Sequence, residues 1–349
     1  MKMYKFIVLF LFVASFGWGY LKDDVKDPYA LDYNKVVINL PVTHTKYLDD
    51  KVLALGEKYL AEDLLVELQK QGFEVKNYAW EDTYSNRNFG EGFELMMRGW
   101  PELQLPGYHN FVDKDRILVL YETIPYKLDE VTNVDIVFTG SLKRDKEYKK
   151  MGLNSYFIPQ FTRLEKFYPA YDEKYKSRLL FVGNNWSMEG VVRKTIQYSM
   201  NNNFELSIYG DGWDEILDEE RKDWIKAIQV PNDELKYYYS SADIVFNDTR
   251  EDMIEAGYIS NRIFDATAAG AFVISDYIKE VEEIYGDSIV MYKNEQEFVE
   301  LVNYYLEHPE ERKQKAERAH KITVENFGAE KTIKKMADVM REYVKKVRK

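Results

Sequence analysis

The chain has 349 residues, 45% hydrophobic and 31% charged, with 60 acidic against 48 basic side chains and a net charge of −12. That length accommodates two domains with a core in each, and the acidity argues against a nucleic-acid partner, whose phosphates require a basic face. There is no cysteine to form disulfides, thiolate nucleophiles or metal sites, and His44, His109, His308 and His320 are too scattered for a histidine-built metal centre.

Residues 1–25 stand apart from the rest of the chain. Lys2 and Lys5 precede an uncharged run from Phe6 to Leu21, and then comes the acidic "KDDVKD". The run is short for a bilayer span, which takes roughly 20 apolar residues. A charged start, an apolar middle and the small residues Gly17 and Gly19 are the parts of a signal peptide or a short signal-anchor. The expected location is therefore exported or membrane-anchored, with the cytoplasmic face of a membrane as the alternative.

From Lys35 the pattern is regular. "KVVINLPV" (35–42) reads as a strand, and "YLAEDLLVELQKQG" (59–72) as a helix with Leu60, Leu64, Leu65 and Leu68 on one face. Strands follow at 73–80, 116–122, 134–140 and 155–161, while 81–115 reads as an irregular insertion. "TRLEKFYPAYDEKYKS" (162–177) has the composition of a linker. The alternation then restarts. Strands are predicted at 178–183, 204–210, 228–230, 243–248, 271–275 and 288–292, and helices at 189–201, 214–227, 260–269 and 295–309, with two long helices closing the chain.

Strands separated by helices predict parallel sheets covered on both faces. The fold class is α/β: two Rossmann-like, doubly wound domains facing a cleft, residues 35–165 and 176–328, followed by a basic C-terminal helix at 329–349. In that helix Ile333, Met336, Met340, Tyr343 and Val347 form an apolar stripe that suits crossing back onto the first domain. Its basic residues also suit an anionic lipid surface, the lesser of the two readings.

Ligands of open parallel sheets sit beyond the carboxyl ends of the strands. There "FVGNNW" places Gly183 and Asn184, and "IYGDGW" places Gly210 and Gly212, where a missing side chain lets a ligand approach the backbone. "SNRIFDATAAGAFVISDY" (260–277) opens a helix that Ser260 or Asn261 is placed to cap. Its N–H groups form a ready phosphate site. Arg262 and Asp265 share one face, as a surface ion pair or as the grip on a nucleoside diphosphate, with Arg262 on phosphate and Asp265 on the ribose hydroxyls. The acidic Asp113-Lys114-Asp115 precedes a strand and reads as a surface turn. No metal site is expected.

The succession "FVGNNW…IYGDGW…VPNDELKYYYSSADIVFN…SNRIFDATAAGAFVISDY…YLEHPEERKQKAERAHKITVENF" resembles glycosyltransferases of the GT-B fold. Within them it resembles most the spore-maturation-protein-like branch, whose pattern includes an "R-x-F-E-a-x-a-x-G" helix. The resemblance covers residues 178–327 well and the first half more loosely, through 134–169. It implies transfer of a sugar from a nucleotide-diphosphate donor on the second domain to a glycan, lipid-linked or protein acceptor on the first, with no required cofactor or metal.

The resemblance also assigns positions. Asp265 matches the carboxylate that holds the donor ribose, Arg262 the arginine of the same helix start, and Gly183 the glycine loop beside the diphosphate. Three positions depart from the pattern. Asp265 is one methylene shorter than the family's glutamate. Glu189-Gly190 stands where relatives carry Lys-Gly, with Arg193 or Lys194 one turn on to replace the cation. Tyr258 occupies the place of a second glutamate. In the first half Glu122, after a strand, is the candidate acceptor-side base, and His44 the candidate contact to sugar or phosphate. An exported two-domain solute-binding protein and a catalytically degenerate GT-B protein are the rival readings.

Overall fold

The structure, a computed structural model, describes residues 33–40, 56–79, 92–98, 117–125, 127–128, 131, 134–185 and 192–347. The expected signal segment, His44, Asp113–Asp115 and Glu189-Gly190 lie outside them.

The first sheet is built from β1 (Lys35–Leu40), β2 (Glu74–Ala79), β3 (Phe93–Arg98), β4 (Ile117–Glu122), β5 (Ile136–Thr139) and β6 (Ser155–Phe157). All pairings are parallel, in the order β2-β1-β3-β4-β5-β6. The second sheet holds β7 (Ser177–Val182), β8 (Ser207–Tyr209), β9 (Ile225–Ala227), β10 (Ala242–Asn247), β11 (Val273–Asp276) and β12 (Val290–Tyr292). It too is parallel, in the order β12-β11-β10-β7-β8-β9. Strand order reverses between β7 and β10, which opens a crevice above their carboxyl ends.

Helices cover both sheets: α1 (Gly56–Lys70) and α2 (Leu142–Lys150) in the first unit, then α3 (Lys194–Asn201), α4 (Leu235–Ser241) and α5 (Glu251–Ala256). They are followed by α6 (Asn261–Ala268), α7 (Lys279–Tyr285), α8 (Glu295–Glu307), α9 (Pro309–Asn326) and α10 (Ala329–Val347). The closing helix does cross back. Ile333, Met336, Ala337 and Met340 are fully buried in one cluster with Leu64 and Leu68 of α1 and Val36, Leu95, Val119 and Phe138 of the first sheet. Val344, not Val347, completes the stripe, and Val347 stays 37% exposed.

Two sequence expectations need correction. The insertion expected at 81–115 contains β3, which pairs with both β1 and β4 in the middle of the sheet. Its "FELMMR" has no β-branched residue and buries a glutamate, Glu94, so it lacks the usual strand signal. The helix expected at 214–227 is a run of turns, a short 3-10 turn (Lys222–Trp224) and β9. Trp213, Leu217 and Trp224 are buried at helix-like spacing, but the Asp218 carboxylate takes the Arg221 N–H at 3.1 Å and favours the turn. The strand expected at 228–230 therefore lies three residues earlier.

Candidate functional site

A cavity of about 270 Å³ lies between the two sheets. Tyr59, Leu60 and Asp63 of α1 form one wall; Gly183, Asn184 and Gly210, with Ser260, Asn261, Arg262 and Asp265 from the start of α6, form the other. A second cavity of about 510 Å³ adjoins it and shares Tyr59, Gln229 and Asn232.

Two glycine turns shape the wall. Gly183 has φ +155° and Gly210 φ +151°; a Cβ on the first would collide with the Arg262 guanidinium, and on the second with the Gly183 carbonyl. The turns are tied together: Asn184 Oδ1 accepts from the Asp211 N–H at 2.9 Å, and Trp213 Nε1 donates to the Gly183 carbonyl at 2.8 Å. Gly212 belongs to the same junction, its carbonyl accepting from Asn185 Nδ2, but stands behind the cavity wall.

Arg262 reaches across the ends of two strands. Its Nε donates to the Val182 carbonyl at 2.7 Å and its Nη1 to Asn247 Oδ1 at 3.1 Å, while the guanidinium lies 5.0 Å over the Phe181 ring. Asn247 is itself held, its Nδ2 donating to Ser275 at 2.9 Å. The orientation of Arg262 is thus set by β7, β10 and β11 together. Arg193 approaches the same ring at 5.8 Å, donating to the Asn184 carbonyl at 3.1 Å. Burial, and then the charge of Arg262, hold its guanidinium down at about 10. Two cations crowd one point, with Asp248, 3.8 Å from Arg193, as an opposing charge. Of the two candidates to replace a family lysine, Arg193 is the more buried and stands behind Asn184 without lining the cavity, whereas Lys194 is exposed and pairs with Glu251 at 3.1 Å.

At the mouth of α6, neither expected cap forms. Ser260 is the N-cap residue but makes no side-chain capping bond, and Asn261 instead donates Nδ2 to Asp265 Oδ2 at 2.8 Å. The first-turn N–H groups therefore keep their positive end without a side-chain acceptor. Asn261 Oδ1 is buried without a hydrogen-bond partner. Arg262 and Asp265 do not pair: the guanidinium is engaged by the strand ends, and the carboxylate sits with Asn261. Asp265 is 8% exposed, and its carboxyl is pushed up to about 8 by burial and by the nearby charge of Asp63, against the hydrogen bond from Asn261.

Asp63 was not singled out from the sequence, and it is the main addition. It faces Asp265 from α1, accepting from Lys166 Nζ at 2.9 Å and Arg163 Nη1 at 3.2 Å, and burial raises its carboxyl in spite of those cations. Tyr59 and Asp63 stand one turn apart on α1, a pairing visible in the sequence but masked there by the leucine stripe beside it.

Glu122, the expected acceptor-side base, does not line the cavity. It is fully buried at the end of β4, accepting from Tyr148 OH at 2.6 Å and Arg144 Nη2 at 3.1 Å. So enclosed, Glu122 cannot reach an acceptor in the cavity, and the base assignment falls with that burial. Among the described residues, no three His, Asp or Glu side chains converge as metal ligands, and no helix is long and apolar enough to cross a membrane.

Two parallel α/β units facing a cleft, with the polar groups at the carboxyl ends of the second sheet, define the class: this is the GT-B architecture. Residues 167–338 match the glycosyl transferase-like family model. The spore protein CgeB of Bacillus subtilis (strain 168) is 26% identical over 215 residues, 57% of this chain and 66% of the relative, so the match leaves about a third of that protein uncovered. The fold is that of sucrose-phosphate synthase from Thermosynechococcus elongatus (TM-score 0.63, 12% identity, covering 88% of this chain and 98% of that one). It is also that of Anabaena Alr3699/HepE, solved in complex with UDP-glucose (TM-score 0.59, 10% identity, 88% and 99%). The chain has the GT-B fold, and is similar to the glycosyl transferase-like family over its second half and to CgeB.

Proposed function

We propose that the chain moves a sugar from a nucleoside-diphosphate donor, held on the second unit, to an acceptor presented by the first. The observation that carries this reading is the cavity into which α6 brings Asn261, Arg262 and Asp265 beside two glycine turns. A ribose needs acceptors for two adjacent hydroxyls, and Asp265 with the orphaned Asn261 Oδ1 offers them. A diphosphate needs cations and N–H donors, which Arg262, Arg193 and the uncapped start of α6 supply. The same groups would stabilise charge on the leaving diphosphate, so the reading requires no metal. The UDP-glucose held by Anabaena HepE supports a nucleotide sugar as the donor class. A glycan, lipid-linked or cell-envelope acceptor, or a protein, would enter from the side of Tyr59 and Asp63. The exposed lysines of α10, with the N-terminal apolar run, favour a place at a membrane surface.

The test is a melting screen of the full chain with UDP, GDP, ADP and dTDP. Ligand at a hundredfold excess over Kd stabilises by about 2.7 kcal/mol, and Asp265→Ala should abolish that shift. A shift with free sugars and none with nucleotides overturns the reading. Nucleotide binding with no consumption of the matching sugar donor, across a panel of acceptors, supports the catalytically degenerate alternative.

A further inference from the structure

The buried cluster around Glu122 is not part of the cavity, yet it joins the two units. Tyr258 comes from the second unit and is fully buried against the first. Its hydroxyl lies 2.8 Å from Thr139 Oγ1 at the end of β5, with the charge of Glu122 nearby. Its ring lies against Gly140, where a Cβ would stand 3.2 Å from Cδ1.

The residues just before it are docked by other means. Met253 of α5 packs into the apolar cluster of Leu118, Leu120, Val137 and Tyr148. Ser141 Oγ donates to the Ala256 carbonyl at 2.5 Å, and Lys143 Nζ to the Glu255 carbonyl at 2.7 Å. Gly257, with φ +77°, lets the chain turn this close to Ser141. Beyond Tyr258, only Ile259 and Ser260 separate this anchored stretch from Asn261 and Arg262.

We propose that Tyr258 is a positioning residue for the donor site: anchored on Thr139 and Gly140 of the first unit, beside the Glu122 cluster, it sets where α6 begins and so where Asn261, Arg262 and Asp265 meet the ligand. This rests on the reading of the cavity as a nucleotide site. The cluster acts on the site only through the backbone of residues 258–261.

The experiment compares the unmodified chain with Tyr258→Phe, Tyr258→Ala and Glu122→Gln. Titrations use whichever of UDP, GDP, ADP and dTDP stabilises the unmodified chain, at a temperature where every variant is folded. Amide exchange of residues 259–264 is followed in parallel, without nucleotide. Tyr258→Phe and Glu122→Gln keep the volume of the cluster and remain informative if Tyr258→Ala does not fold. Removing the ring should raise Kd about tenfold, removing the hydroxyl or the Glu122 charge beside it by less, and each should speed exchange at 259–264. Lower melting temperature with unchanged Kd overturns the proposal, since the tyrosine then only supports the fold. Unchanged exchange at 259–264 overturns it as well. If the unmodified chain binds none of UDP, GDP, ADP and dTDP, the reading of the cavity fails; faster exchange in the variants would still support the anchoring of α6.

Discussion

Arg262 is placed by three backbone and side-chain contacts that only a planar, forked cation can make at once. Nε reaches the Val182 carbonyl, Nη1 reaches Asn247, and the face covers Phe181. Arg262→Lys keeps the charge but loses the fork, and should weaken nucleotide affinity about 10- to 100-fold by calorimetry, the range for losing charge-assisted hydrogen bonds. Asp265 adds a pH dependence. Folding raises its carboxyl from 3.8 to about 8, so the native state prefers the protonated form. Its contribution to stability is complete below about pH 4 and is lost as the pH climbs through 8. Between pH 6 and 9 the melting temperature of the unmodified chain should therefore fall more steeply than that of Asp265→Asn. Nucleotide affinity should move the opposite way, tightening as Asp265 ionises and gains acceptors for ribose hydroxyls. A flat affinity profile from pH 6 to 9 would count against Asp265 as the ribose contact.

At the level of elements, the site is a junction of two turns and one helix start. The turn after β8 presses on the turn after β7 so closely that Gly210 has no room for a methyl group. Gly210→Ala should cost about 1–3 kcal/mol in denaturant unfolding, from backbone strain at positive φ. It should also remove the nucleotide shift, because the Gly183 turn must move. Helical spacing in "NRIFDATA" made α6 legible, and the small residues after it announced close packing on β11. Its uncapped start was not legible. Whether a serine caps depends on where its hydroxyl points, and Asn261 was diverted by Asp265. The β3 strand escaped for a related reason: Met96 and Met97 become strand residues through the company of β1 and β4, not through their own preference.

For the whole molecule, α10 acts as a strap whose apolar stripe completes the core of the first unit although it follows the second in sequence. Met336 and Met340 are fully buried there, so Met336→Ala should destabilise by about 2–5 kcal/mol in denaturant unfolding. The nucleotide shift of the folded variant should survive, since α10 contributes no residue to the cavity wall. What the sequence determined alone was what local periodicity and short-range turn chemistry encode: alternating strands and helices, two parallel sheets, the glycine turns, and a helix start bearing Arg262 and Asp265. The tertiary structure decided which side chains from distant segments share one space. It brought Asp63 opposite Asp265, moved Glu122 from the site into a buried cluster, and gave Tyr258 a seat in the other unit. Those outcomes turn on burial and charge pairing between residues far apart in the chain, and periodicity carries no record of such pairings.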